Sequence, residues 1–241
     1  MSLKGKRVLI TGAAVRVGRA MALAVAQASA DVIIHYGDSQ KEAKSLKAEV
    51  EALGVRAHLL QADLSKPSAS AKLVERATKL GPLYALINSA AIFDKVNLES
   101  TTAESWQRHL DINLTAPFLI SQAFWKHAKK SRLAARIINI LDWRALRPGT
   151  DHLPYTISKA ALSALTQSLA IAMAPKVTVN GIAFGAILPP KGGAVKGILD
   201  DVPAGRWAHL DEVGRTLLFL LTGPDYITGE IIHLDGGRHL V

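Results

Sequence analysis

Apolar residues in this chain alternate between two spacings. Short β-rich runs each end at a turn and read as strands: Val8-Leu9-Ile10, Val32 to Tyr36, Ala57 to Gln61, Leu83 to Asn88, Arg136 to Leu141, Val177 to Ile182 and Glu230 to Leu234. Between them lie longer stretches with helical spacing, at 18–29, 69–80, 103–130 (one long helix or two joined), 155–174 and 211–221. Another helix carries its stripe at Ala43, Leu46, Val50 and Leu53 and stops at Gly54. Seven strands separated by helices cannot close as hairpins, because each crossover returns the chain to the same edge. The pattern therefore predicts an α/β fold: one domain over 1–241 holding a doubly wound, mostly parallel, seven-stranded sheet with helices on both faces. Such a sheet binds ligands beyond the carboxyl ends of its strands, so candidate chemistry belongs just after each strand.

Composition narrows the class. The 241 residues are 49% hydrophobic and 20% charged, a globular balance that excludes a disordered or fibrous chain. Cysteine is absent, which excludes a disulfide scaffold, a thiolate nucleophile and a sulfur-built zinc site; no metal is expected. The apolar run before Thr11 is three residues long, against the roughly 7–15 of a signal-peptide core, and no run of about 18 apolar residues exists. A soluble, cytoplasmic protein without membrane contact is expected. Lys+Arg number 29 against 20 Asp+Glu, a formal net charge of +9, which raises a polyanion partner. The densest cluster, Lys126 to Arg132, falls at a helix C-terminus, where cations suit the macrodipole. No aromatic residues interleave with it as a stacking platform requires. It reads as a solvated helix end, with no nucleic-acid partner.

After the first strand, Thr11-Gly12-Ala13-Ala14-Val15-Arg16-Val17-Gly18 opens a helix. Gly12 permits a tight turn and Gly18 a close helix–strand approach, leaving N–H groups and a positive helix end for a pyrophosphate. A plain βα turn would use the same glycines. Further on, Tyr155 and Lys159 stand at i and i+4 on one helical face. An ammonium beside a phenol lowers its pKa from about 10, and such a phenol can protonate what a nicotinamide hydride reduces.

Together these landmarks resemble the short-chain dehydrogenase/reductase family over essentially the whole chain. Thr11-Gly12 to Gly18 resembles its glycine-rich loop, Asp63-Leu64 its adenine-contacting acidic turn, and Asn88-Ser89-Ala90-Ala91 its Asn-Asn-Ala-Gly turn. Asn113 resembles the helix Asn that completes the catalytic tetrad by ordering a water relay, and Tyr155-Thr156-Ile157-Ser158-Lys159 is the Tyr-x-x-x-Lys pair. The resemblance implies a Rossmann-type fold, a nicotinamide dinucleotide held by Gly12, Arg16, Val17, Gly18, Asp63, Leu64, Asn88, Ser89, Ala90, Lys159, Gly185 and Ile187, and a homotetramer.

Departures narrow the family reading. Most members carry Ser about 13 residues before the Tyr; here that position is Asp142. An Asp there resembles the pteridine reductase and dihydromonapterin reductase subgroup, whose substrates present ring C=N bonds. Phe93 resembles the aromatic residue that stacks on the pterin in that subgroup, and Arg16 the residue between cofactor phosphates and substrate. Leu234-Asp235-Gly236-Gly237-Arg238-His239-Leu240 resembles the ending of the dihydromonapterin reductases. Each has a bland alternative: Asp142 as an N-cap or turn residue, Phe93 as core, Arg16 as solvent-exposed. The segment 185–207, containing Pro189-Pro190-Lys191-Gly192-Gly193, resembles a substrate-covering loop, Phe184-Gly185 replaces the usual Pro-Gly, and Trp143 adjoins the pocket.

The turn after the second strand bears on the cofactor. Asp38, 20 residues beyond Gly18, favours NADH if it faces the ribose. His35, Tyr36 and Ser39 match the pteridine reductases' NADPH turn, and with Arg16 they favour NADPH, which is the expectation. The leading function is an NADPH-dependent reductase of a pterin-like C=N bond, using Tyr155, Lys159, Asp142 and Asn113 for catalysis and Arg16 and Phe93 for substrate. A carbonyl reductase, for example of a 3-oxoacyl thioester, is the alternative enzyme. A non-catalytic dinucleotide sensor is the alternative of another class.

Overall fold

The structure is a computed structural model and describes residues 2–131, 134–189 and 197–241. The chain alternates strands and helices throughout: β1 (Arg7–Ile10), α1 (Arg16–Gln27), β2 (Asp31–Tyr36), α2 (Gln40–Ala52), β3 (Ala57–Gln61), α3 (Pro67–Thr78) and β4 (Ala85–Asn88). There follow α4 (Ala103–Leu110), α5 (Ala116–Ala128), β5 (Ala135–Asp142), α6 (Leu153–Met173), β6 (Val177–Phe184), α7 (Leu210–Thr222) and β7 (Ile231–Leu234). The sheet has the order β3-β2-β1-β4-β5-β6-β7, and all six pairings are parallel. The expected mostly parallel sheet is thus wholly parallel.

Both sheet faces are covered, so the strands are buried even where they alternate. Val8 and Ile10 of β1 face one core with Met21 and Val25 of α1, Leu46 of α2 and Leu217 of α7. Leu9 faces the other, with Leu73 of α3, Phe124 of α5 and Met173 of α6. Period-2 side-chain direction therefore feeds two apolar layers rather than one, and β1, β4 and β6 are buried at every position.

Several predicted boundaries move for identifiable reasons. β5 and β6 extend to Asp142 and Phe184, beyond the expected Leu141 and Ile182, because an unbroken register joins Ala135↔Val177 to Asp142↔Phe184. Asp142 is consequently the last ladder residue. The stretch 103–130 divides into α4 and α5 around a π-helical turn over Asp111–Thr115. Pro117 follows that turn and has no N–H to give the Asn113 carbonyl at i+4. In the basic cluster, Lys126 and His127 occupy the last turn of α5, and Lys129 lies 4.6 Å over the Trp125 ring; Arg132 lies outside the described residues. The part of the expected substrate loop over 190–196 also lies outside them. Among the described residues no helix is long and apolar enough to cross a membrane.

Strand β1 lies between β2 and β4, where the order of connection reverses, and the crevice above that reversal is where ligands of such sheets bind. Beneath it, Phe124 is fully buried among Leu86, Ile120 and Ile137. Phe124→Ala is expected to lower the free energy of unfolding by about 3–5 kcal/mol, read from urea denaturation; a change below about 1 kcal/mol would contradict this packing.

Candidate active site

A cleft of about 870 Å³ opens at the strand exits between β1 and β4 and runs from Gly37, Asp38 and Asp63 at one end to Asp142, Tyr155 and Lys159 at the other. Its size is that of a small-molecule or cofactor site. The glycine loop lies at its middle. Gly12 takes φ +63°, and a Cβ there would stand 2.8 Å from the Ala90 Cα; one on Gly18 would stand 2.1 Å from the Gly12 carbonyl oxygen. Both positions are closed to any side chain, so the backbone itself forms the wall.

Buried hydrogen bonds hold the strand exits in register. The Thr11 hydroxyl accepts from the N–H groups of Ser89 (2.9 Å) and Ala90 (3.1 Å), joining β1 to β4. His35 joins β1 to β3: its Nδ1 accepts from the Gly12 N–H (3.2 Å), and its Nε2 lies 3.1 Å from the Ala62 carbonyl. One tautomer satisfies both, with the proton on Nε2. Burial pushes this imidazole down to about 4, so it is neutral. His35 is a scaffold pin on the glycine loop, a role beyond the cofactor edge expected of it.

At the far end, Asp142 closes β5 and Tyr155 and Lys159 share a face of α6. The Tyr155 hydroxyl donates to Asp142 Oδ2 at 3.0 Å. Asp142 Oδ1 accepts from the Arg144 N–H at 2.9 Å, so the turn reading of Asp142 holds alongside the site reading. Lys159 Nζ donates to the Ile140 carbonyl at 2.6 Å and lies 5.7 Å from the Tyr155 ring centroid. Burial, then the neighbouring Asp142 carboxylate, raises Tyr155 well above its usual value. Burial raises Asp142 as well, against Arg144, and pulls Lys159 down to about 8. The expectation that Lys159 acidifies Tyr155 is therefore corrected: the group beside the hydroxyl is a carboxyl, not an ammonium, and it favours the protonated phenol.

Other nominated residues divide between cleft and scaffold. Val17, Leu64, Ser89 and Ala90 line the cleft, as does Asp63, whose carboxylate is held low by bonds from the Ser65 hydroxyl and N–H. Asn88 turns inward instead, donating to Ser121 (3.1 Å) and Asn139 (2.8 Å). The Asn113 amide is wholly engaged with the backbone of Ile92 and the Ser158 hydroxyl, so its side chain is not free to order a relay. Tyr36 packs into the core, Ser39 stands at the N-cap of α2, and Arg16 reaches across the cleft to the carbonyls of Leu188 and Pro189. Of the expected phosphate donors, His35 and Arg16 line the cleft beside Gly37 and Asp38, and Tyr36 and Ser39 do not. Gly185 and Ile187 lie behind the lining, Gly185 against Asp235 and Ile187 in the core. Phe93 is half-exposed, its ring edge-on to Tyr155 at 4.5 Å and stacked on His152 at 3.9 Å, so one of its faces is already covered. Among the described residues no His/Asp/Glu cluster could hold a metal ion.

A family profile described as "Enoyl-(Acyl carrier protein) reductase" matches residues 12–239. Among curated relatives, the 2-dehydro-3-deoxy-D-gluconate 5-dehydrogenase of Bacillus subtilis is 34% identical, covering 98% of this chain and 95% of that protein. A Synechocystis 3-oxoacyl-[acyl-carrier-protein] reductase is 32% identical, covering 98% of each. Among solved structures, a Burkholderia cenocepacia short chain dehydrogenase in complex with NADP is 33% identical with a TM-score of 0.91, covering 99% of both chains. The chain belongs to the short-chain dehydrogenase/reductase family. It is an oxidoreductase of that family, and it is also similar to FolM Alternative dihydrofolate reductase 1 from Brucella canis, complexed with NADP, at 32% identity and TM-score 0.89 over 98% of this chain and 95% of that one.

Sequence spacing did not nominate three residues that shape this family member's site. Arg108 lines the cleft, and nothing in its helical setting marks it. Arg144 stands two residues after a strand-end Asp, the spacing of an Asx turn, which was a usable signal. Ser158, inside the Tyr-x-x-x-Lys stretch, holds Asn113.

The His35 pin makes acid stability testable. Its folded value of about 4 lies below the unfolded 6.5, so the unfolded chain binds the extra proton and stability falls as pH drops between those values. The loss is on the order of 3 kcal/mol. Urea midpoints from pH 7 to 4 are expected to fall steeply, and His35→Gln to flatten that slope; an unchanged slope in the variant would contradict the assignment.

Proposed function

We propose that this protein is an NADPH-dependent reductase of a flat nitrogen heterocycle, a dihydropterin in the first instance, with Tyr155 as the proton donor. The observation that carries the reading is the Tyr155 hydroxyl bonded to the Asp142 carboxyl. A carboxylate beside a developing oxyanion opposes carbonyl reduction. A ring nitrogen takes up a proton instead, and a buried carboxyl with raised proton affinity helps to supply it. Phe93 lies beside Tyr155, the two ring centroids 4.5 Å apart.

The cradle fits a dinucleotide: Gly12 and Gly18 admit no Cβ, and the N-terminus of α1 faces the same cleft. When bound, a nicotinamide dinucleotide supplies the hydride. Lys159 gives one of its three N–H donors to Ile140 and keeps two for the ribose hydroxyls. Tyr155, held protonated at neutral pH, gives its proton to the ring nitrogen and recovers one by way of Asp142. NADPH is supported by the NADP in the Brucella and Burkholderia structures; Asp38 at the cleft opposes it.

Nicotinamide oxidation against dihydropterins, dihydrofolate and 3-oxoacyl thioesters tests the reading. Dihydropterin turnover is expected, and Tyr155→Phe is expected to cut it by about 10²–10⁴ with dinucleotide affinity held within about twofold. Turnover of the thioester alone would overturn it. On the cofactor, NADPH is expected to outperform NADH, with Asp38→Asn widening the gap by removing a carboxylate from the ribose end; a preference for NADH in the unaltered protein would refute that assignment.

A further inference from the structure

The chain ends in a built turn that delivers a cation to the site. Asp235 is buried and accepts from the N–H groups of Gly237 (3.0 Å) and His239 (2.8 Å) and lies 2.7 Å from His239 Nδ1. Gly236 and Gly237 take φ +65° and +87°. A Cβ on either would press on Val202 or Pro203, at 2.9 and 3.1 Å, so only this backbone lets the turn dock against 202–204. The Ala204 N–H donates to the Gly236 carbonyl at 3.0 Å. The turn thereby aims Arg238 at the residue after Asp142: its guanidinium lies 4.5 Å over the Trp143 ring.

A second guanidinium shares that ring. Arg144 lies 4.8 Å over Trp143 and 5.6 Å over Phe93, with carboxylate oxygens of Asp142 at 3.9 Å and Asp151 at 3.4 Å. Arg238 has no carboxylate that close; those of Asp201, Asp142 and Asp151 act on it from beyond ion-pair distance. Among the described residues it makes no ion pair within 4 Å; its one hydrogen bond is to the Ile198 carbonyl at 2.9 Å, and its Nε is buried with no acceptor. Burial, and after it the charge of Arg144, press its pKa down against the opposing carboxylates of Asp201, Asp142 and Asp151. A partly buried cation beside another cation is unfavourable without an anion to share, and the planar fork of Arg suits a carboxylate or phosphate.

We infer that Arg238, with Arg144 beside it on Trp143, binds an anionic group on the side arm of the substrate. The substrate class is therefore a flat heterocycle that carries a carboxylate or a phosphate. The ring rests on the function proposed above; the anion site rests on Arg238.

Two measurements separate these. In the first, kcat/KM is compared for dihydrofolate (carboxylates), dihydroneopterin phosphate and neutral dihydrobiopterin. At least one acid-bearing substrate is expected to exceed the neutral one by about tenfold, and which acid does so identifies the anion. Arg238→Gln is expected to cut that ratio about tenfold, with Arg238→Lys retaining part of it. A wild-type ratio near one, or a ratio that Arg238→Gln leaves within twofold, would overturn the inference, as would an equal loss on all three substrates. In the second, calorimetry of the NADP-loaded protein compares 2-naphthoate and 2-naphthyl phosphate with 2-naphthamide. Tighter binding of an anion, lost in Arg238→Gln, supports the site even if no pterin is reduced, an outcome that removes only the heterocycle. Equal binding of all three compounds would refute the site.

Discussion

Every strand of this sheet runs parallel to its neighbours, and that single constraint decides where chemistry is possible. Parallel pairing sends all seven carboxyl ends to one edge, and the reversal of connection between β1 and β4 leaves a crevice there that no helix covers. The crevice keeps its shape only while the strand exits stay in register. Thr11 and His35 hold that register from within, through bonds to main-chain groups of neighbouring strands. Neither side chain needs to touch a ligand to be indispensable to the site.

Within the crevice, burial outweighs charge pairing. Tyr155 and Lys159 are almost entirely buried, and desolvation moves each group toward its neutral form. Asp142 moves the same way. The outcome is a protonated phenol bonded to a carboxyl, with an ammonium held to the Ile140 carbonyl, two residues before the end of β5. A phenol kept protonated suits delivery of a proton to a reduced product; it is poorly placed to remove one.

A layer of polar residues lies between this site and the apolar core. Asn88, Ser121, Asn139 and Thr166 form one buried chain, and Asn113 and Ser158 another that fixes Ile92 against α6. The side-chain N–H groups of Asn88 and Asn113, both residues that resemble ligand-binding positions in sequence, are thus taken by inward partners, because a buried donor without one is costly. The C-terminal turn is built the same way around buried Asp235, and it carries Arg238 over the Trp143 ring.

Local sequence was sufficient for whatever depends on period and spacing. The seven strands, their helices, the parallel sheet, the glycine loop and the i, i+4 pair of Tyr155 and Lys159 were all legible, because backbone direction and side-chain period are set within a few residues. Side-chain partners were not legible, since they come from elements far apart in the chain. Asp142 rather than Lys159 meets the Tyr155 hydroxyl, Arg16 meets the carbonyls of Leu188 and Pro189, and Arg238 meets Trp143 only after the whole sheet has closed. Such pairings, and the burial that sets the proton affinities, follow from packing across the sheet, which no local pattern encodes.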